Sequence, residues 1–300
     1  MRSKINHCDH LAKNWRTNIW GYAFMAPFIL AFVVFFVYPI IDAFRLSLYH
    51  YTLAKQEWVG LQNYISLFRD KNFLKSLRNT FAFVLICVPA TTLLSLFVAN
   101  TIRRYHRTVT AFFRAAFYLP SITASAVLAV TWKLIYNPQN GVLNWFLSLF
   151  GADPVLWLSD SRVVLPALAV IVITWQLGYP VILFCAGLDG IPSTYIEAAN
   201  IDGASKMRTF WQVIMPLLKP TTLYVVVTNT IGSFQTFAVV QLLTSGGPNY
   251  ATSTIMYQLY ETAFKYGKLG LASAMGIILA ILIGIVAIFQ FRLLSADVEY

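Results

Sequence analysis

Two groups of residues could do chemistry in this sequence. The first is polar but uncharged. Asn229, Ser233 and Thr236 stand at i, i+4 and i+7, so one helical face carries an amide and two hydroxyls. Ser121 and Ser125 repeat the i, i+4 spacing, and Gln176 and Gly178 lie in another apolar stretch. Such groups hydrogen-bond a neutral polar solute. They are also common where membrane helices pack together. The second group is Glu197, Ala198, Ala199, Asp202, Gly203, Lys206 and Arg208. Small alanines beside a glycine allow close approach of another surface, and the flanking charges suit docking to a protein.

Other chemistry finds no support. No nucleophile–base set is visible. His7, His10, His50 and His106 lack metal-ligand spacing. Cys8, Cys87 and Cys185 suggest no disulfide framework. A phosphate-cradling Gly-x4-Gly-Lys-Ser/Thr loop is missing, so the chain is not expected to hydrolyse ATP.

The elements that position these residues are membrane helices. Of the 300 residues, 58% are hydrophobic and 11% charged. Soluble domains carry about 25% charge, so an ordinary soluble enzyme is a poor fit, and disorder is excluded. The few charges bound long neutral stretches. Arg16 to Asp42 encloses 25 uncharged residues, Arg78 to Arg103 encloses 24, and Arg162 to Asp189 encloses 26. A spanning helix needs about 20 apolar residues. The longest gap, Lys219 to Glu261, is broken by Ser245-Gly246-Gly247-Pro248-Asn249. Six spans are predicted, near 19–41, 80–102, 113–135, 163–187, 217–243 and 269–291. Residues 1–18 form an N-terminal tail and 295–300 a C-terminal one. The gap after Lys133 contains Asn137, Pro138 and Gly141, and reads as a turn followed by a short amphipathic helix.

The charged start resembles that of a signal peptide, but the apolar run is too long and an uncleaved anchor is expected. Trp15 and Trp20 flank it as interface aromatics do. With the N-terminus inside, the inner segments hold 12 of the 22 Lys and Arg residues. The margin is narrow, and the short loop Arg103-Arg104-Tyr105-His106-Arg107 decides it. Both termini are therefore expected in the cytosol. The net charge of +10 is read as lipid-facing, with no nucleic-acid partner, because the basic residues form no single extended patch.

Two loops carry helical patterns. In the outer loop, Leu61, Tyr64, Ile65 and Phe68, then Leu74 and Leu77, have helical spacing. Such a helix would lie on the membrane surface or pack on the outer end of the bundle. In the inner loop 189–216, Thr194 and Glu197 have capping-box spacing, predicting a helix over about 194–200. Gly203 suits a sharp turn. A second helix is predicted from Ser205 to Pro216. Docking to a partner and simple connection are both open readings of this hairpin.

Glu197-Ala198-Ala199, then Gly203, then Val213-Ile214-Met215-Pro216, resembles the Glu-Ala-Ala loop of ABC importer permeases. Further segments agree in order: Tyr38-Pro39, Gly60-Leu61-Gln62-Asn63-Tyr64, Leu119-Pro120, Trp157-Leu158, Gln241-Leu242-Leu243-Thr244 and Gly246-Gly247-Pro248. Together they resemble carbohydrate-importer permeases of the maltose and glycerol-3-phosphate type. The resemblance implies an all-α, polytopic, six-helix membrane protein with the type I ABC importer permease architecture. It implies multi-pass residence in a bacterial or archaeal cytoplasmic membrane.

The implied partners are a second permease subunit, two ATPase subunits docked on the Glu-Ala-Ala loops, and an extracytoplasmic sugar-binding protein. ATP and Mg would sit on the ATPases, and this chain would bind no cofactor. The resemblance puts Asn229, Ser233 and Thr236, and Ser121 and Ser125, at sugar-facing positions, with Gln176 and Gly178 completing the wall. Trp132, Trp175 and Phe234 could stack on sugar rings, though such residues more often pack. The mid-span regions lack Lys, Arg, Asp and Glu, which argues against an ion pathway. A sugar or oligosaccharide is therefore expected as cargo. Glycerophosphate import is the same-fold alternative, and a stand-alone secondary transporter is the alternative of another class.

Overall fold

The computed structural model describes residues 21–52 and 55–294. The two tails, with Trp15, Trp20 and Cys8, lie outside the described residues. Helix α1 (Gly21–Ser47) is the first element among the described residues, and its most apolar stretch buries nothing within this subunit. Phe28, Phe32 and Phe36 stack along one face of it. A short antiparallel hairpin follows, β1 (Tyr49–Tyr51) and β2 (Gln56–Trp58), which the sequence reading did not foresee. Asn63 holds it in place, donating from Nδ2 to the carbonyls of Ser47 and Tyr49 at 2.8 and 2.9 Å.

The outer amphipathic segment resolves into α2 (Gln62–Arg69), which stops at Asp70. Asp70 caps the next helix by accepting from the Asn72 amide at 2.9 Å. Leu74 and Leu77 thus belong to α3 (Lys71–Ile102) and not to the loop helix. Helix α2 packs on the end of the bundle: Leu67 is buried with Phe73 and Met275, while Leu61, Ile65 and Phe68 stay exposed. Helix α3 has 32 residues, about 48 Å at 1.5 Å per residue. That exceeds the roughly 30 Å hydrocarbon layer, so one end projects beyond it.

Three spans are bent. The third divides into α4 (Arg107–Ile122) and α5 (Ser125–Ile135), bent by 100°. Pro120 lies in the last turn of α4, where its ring and missing N–H weaken continuation. Helix α6 (Val142–Ser148) follows the turn expected at Asn137. The fourth span divides at Leu177 into α7 (Val164–Gln176) and α8 (Gly178–Asp189), bent by 47°. The inner loop then forms α9 (Ser193–Ile201) and α10 (Lys206–Leu217). Helix α10 turns by 69° into α11 (Lys219–Phe234). The predicted span 217–243 is therefore α11 plus the short α12 (Ala238–Leu243), with a break at residues 235–237. The turn expected at residues 245–249 is present, with positive φ at Ser245, Gly246 and Asn249. Helices α13 (Ile255–Tyr260) and α14 (Leu269–Leu294) close the chain.

Helix α3 is the hub, packed by α7, α8 and α11. The buried apolar residues form three clusters. One joins α7 to α5 and α12, one joins α3 to α14, and one joins α3 to α8 and α10.

Candidate functional site: a helical loop and a row of mid-span breaks

The inner hairpin begins where Pro192 ends the turn after α8. Pro192 is the N-cap position of α9, and no side chain caps that helix. The capping box predicted from Thr194 and Glu197 does not form. The helix starts one residue early, at Ser193, and Glu197 is exposed. Its carboxylate is therefore not spent on holding the helix end.

Gly203 has φ +74°, the left-handed conformation that ends α9. The amide of Ala204 donates back to the Ala199 carbonyl at 2.9 Å across that turn. Ser205 caps α10, its Oγ accepting from the Arg208 amide at 3.3 Å. Arg208 in turn donates to Gln212 Oε1 at 2.8 Å. The two alanines part company: Ala199 is buried against the subunit, while Ala198 faces outward. Asp202 and Lys206 are exposed as well. Tyr195, Ile201, Met207 and Trp211 are exposed apolar residues on the same hairpin. Phe210 packs back on the α3–α8 cluster. The hairpin is thus held from one side and open on the other.

The second arrangement lies at the breaks. Helix α8 has 12 residues, about 18 Å long. Its first residue, Gly178, therefore sits near the middle of a roughly 30 Å apolar layer. A Cβ on Gly178 would stand 2.4 Å from the Phe117 carbonyl oxygen and 2.6 Å from Tyr118 Cα. Only glycine allows α4 and α8 to approach this closely. Ser121 lies at the same junction and donates from Oγ to the Trp175 carbonyl at 2.8 Å. Its hydroxyl thereby joins α4 to α7. Ser125, the first residue of α5, is half-buried.

Gln176 faces α11, since a Cβ on Gly232 would stand 3.3 Å from its Nε2. The predicted α11 face is turned inward. Asn229, Ser233 and Thr236 are buried at 7%, 1% and 7% exposure. Thr236 is engaged, its hydroxyl donating to the Gly232 carbonyl at 3.3 Å and its carbonyl accepting from Thr254 at 3.0 Å. Asn229 Nδ2, Ser233 Oγ, Trp175 Nε1 and Gln176 Oε1 are buried with no partner among the described residues. Unpaired buried polar groups are costly, and two of these lie on α7 and two on α11. Trp132 is half-buried and packs at a tilt against Tyr136, while Phe234 is fully buried against Phe81 and offers no open ring face.

Next to this face stand residues the sequence reading did not name. Tyr224 is exposed and Thr228 half-buried on the outer side of α11, Gln235 is exposed just past its end, and Tyr179 of α8 lies beside Tyr224. The Tyr179 and Tyr224 hydroxyls are 3.4 Å apart. The i, i+4 spacing of Tyr224 and Thr228 is visible in the sequence, but burial does not show in spacing.

A helical bundle with mid-span breaks and a protruding helical hairpin defines a polytopic membrane protein, with discontinuous helices such as membrane transport proteins use. The chain belongs to the family described as the binding-protein-dependent transport system inner membrane component, whose pattern matches residues 65–300. It is 35% identical to the probable ABC transporter permease protein YesP of Bacillus subtilis, over 95% of this chain and 93% of that one. It is 34% identical to the sn-glycerol-3-phosphate permease protein UgpA of Agrobacterium fabrum, over 93% and 96%. The arabinooligosaccharide permease protein AraP of Bacillus subtilis is 31% identical, over 91% and 87%. In fold the chain is similar to a bacterial ABC transporter involved in import of the acidic polysaccharide alginate. The TM-score is 0.81 at 23% identity, covering 97% of this chain and all of that one. The type I ABC importer permease architecture is thus the fold of this subunit.

Proposed function

We propose that this chain is one permease subunit of an ATP-driven importer for a sugar or oligosaccharide. The observation that carries the coupling part is the exposed hairpin α9–Gly203–α10, with Glu197 uncommitted to capping. An ATPase subunit docks there and moves the hairpin as it binds ATP and Mg. Because α10 runs at 69° into α11 across the single residue Leu218, that movement is delivered directly to α11. The two permease subunits then rock between inward-open and outward-open states. A binding protein outside the membrane supplies cargo, and the hairpin and both termini lie in the cytosol. The narrow excess of Lys and Arg on that side supports this orientation.

The cargo path runs over the breaks. Gln176, the Gly178 junction and a stripe of exposed Tyr179 and Tyr224 with half-buried Thr228 form its wall on this subunit. Tyrosine offers a ring face and a hydroxyl, the combination a pyranose needs. Asn229 and Ser233 stand behind the stripe with spare hydrogen-bonding capacity, open to cargo if α11 turns.

The glycerol-3-phosphate reading draws support from the relatives named UgpA. The wall just described holds no Lys or Arg, which favours neutral cargo. The test is binding-protein-dependent ATP hydrolysis by the purified complex in lipid, assayed with arabino-oligosaccharides, malto-oligosaccharides and sn-glycerol-3-phosphate. Stimulation by the ester alone overturns the sugar reading. Transport by the chain purified without an ATPase overturns the importer reading.

A further inference from the structure

A basic cavity of about 420 Å³ lies between the ends of three helices. Its walls are the turn after α3, the first turns of α4 and the last residue of α8. Arg103, Arg107 and Arg114 line it, with Asp189 as the one acid. Asp189 is already paired with Arg114, at 2.7 Å, which leaves the cavity two charges positive. Arg103 and Arg107 make no ion pair among the described residues. The Nε of Arg114 is buried and has no acceptor.

The cavity is a built feature. Thr110 pins its floor, donating from Oγ1 to the carbonyls of Ile102 and Tyr105 at 2.9 and 3.3 Å. The α4 N-terminus opens into it, adding the positive end of a helix dipole. Burial, and then the neighbouring Arg104, push the Arg103 pKa down from its ordinary value. An anion placed among these arginines relieves both effects.

Its position selects the anion. The turn stands where α3 and α4 leave the apolar layer. Tyr105 is exposed at the rim, as interface aromatics are. Directly along α4, Phe112 and Phe113 turn outward, the first 69% exposed. A ligand with a phosphate at one end and hydrocarbon at the other matches this sequence of cations, ring and apolar strip.

We propose that this cavity is a binding site for the phosphate headgroup of an anionic phospholipid, with Arg103 and Arg107 as its cationic contacts. The acyl chains lie along α4 past Phe112. The site is independent of the cargo path and of which membrane face is cytosolic. It does hold α4 against α8, two halves of the broken spans, so lipid occupancy stiffens the subunit where α8 enters the inner loop.

The test uses the complete transporter in nanodiscs of phosphatidylcholine, with or without phosphatidylglycerol at one lipid in five. Retained lipid is counted by native mass spectrometry after mild detergent exchange. One or two phosphatidylglycerol molecules are expected per complex. Each arginine near an anionic surface is worth about fivefold in affinity, so R103Q/R107Q is expected to bind about twenty-five-fold more weakly. The charge-keeping R103K/R107K variant separates charge from folding and should retain most of the lipid. Equal retention by wild type and R103Q/R107Q overturns the proposal. So does displacement of the lipid by millimolar glycerol phosphate, which would mark a soluble-ester site. Protection of Arg103 and Arg107 from phenylglyoxal only when an ATPase subunit is docked would make the cavity a protein contact instead.

Discussion

The Ser121 hydroxyl donates to the Trp175 carbonyl at 2.8 Å and so ties the break in one span to the break in the next. A helix end inside a bilayer leaves carbonyls with no partner and no water to supply one. Here α7 ends at Gln176, and a side chain from α4 fills part of that need. Gly178 completes the junction by letting the two backbones meet.

That junction gives the first prediction. Gly178→Ala puts a methyl group against backbone atoms that cannot move aside. Overpacking of this kind costs about 1–3 kcal/mol. Ser121→Ala strands a buried carbonyl and costs about 1–3 kcal/mol, whereas Ser121→Thr keeps the donor. Thermal unfolding of the detergent-solubilised complex checks all three. Wild-type melting of both Gly178→Ala and Ser121→Ala would mean that the junction is looser than this geometry.

Glu197 separates capping from coupling. It is exposed and caps nothing, so Glu197→Gln should change stability by less than about 0.5 kcal/mol. It should still lower cargo-stimulated ATP hydrolysis by the assembled transporter. A clear fall in melting temperature together with normal ATPase stimulation would reverse the assignment and make Glu197 structural.

Gly203 tests the hinge. Nothing lies within 4 Å of a Cβ built there, so crowding plays no part. Its φ of +74° is the sole obstacle, and a left-handed residue other than glycine costs roughly 1–2 kcal/mol. Gly203→Asn should be milder than Gly203→Val, because asparagine tolerates that conformation better. Equal ATPase coupling in the two variants would remove the turn from the mechanism.

Two residues on adjacent faces of α11 test the proposed cargo path. Tyr224→Phe removes an exposed hydroxyl, with little effect on melting and a several-fold weaker apparent cargo affinity in transport assays. Ser233→Ala removes an unpaired buried hydroxyl, so melting should hold or rise by up to about 1 kcal/mol, with transport little changed. The opposite pattern, with Ser233→Ala alone weakening transport, would move the path to the inner face.

Much of the fold is present in the sequence because charge is so costly in hydrocarbon. Charges at Arg103, Arg162 and Asp189 lie within two residues of observed helix ends, whereas α1 runs on past Asp42 to Ser47 and α3 begins at Lys71, seven residues before Arg78. Gly203 and Ser205 likewise announce their roles, since each acts through its own backbone neighbours. Local chemistry is readable from local order.

What depends on partners distant in the chain was decided by the tertiary structure. Asn229, Ser233 and Thr236 share a helical face in any helix, yet only packing turns that face inward and leaves Tyr224 outside. Ser121 donates to the carbonyl of Trp175, 54 positions away, a partner that spacing within one helix does not show. Helical periodicity assigns residues to faces, but which face meets lipid, a neighbouring helix or an open groove depends on how the helices are packed together.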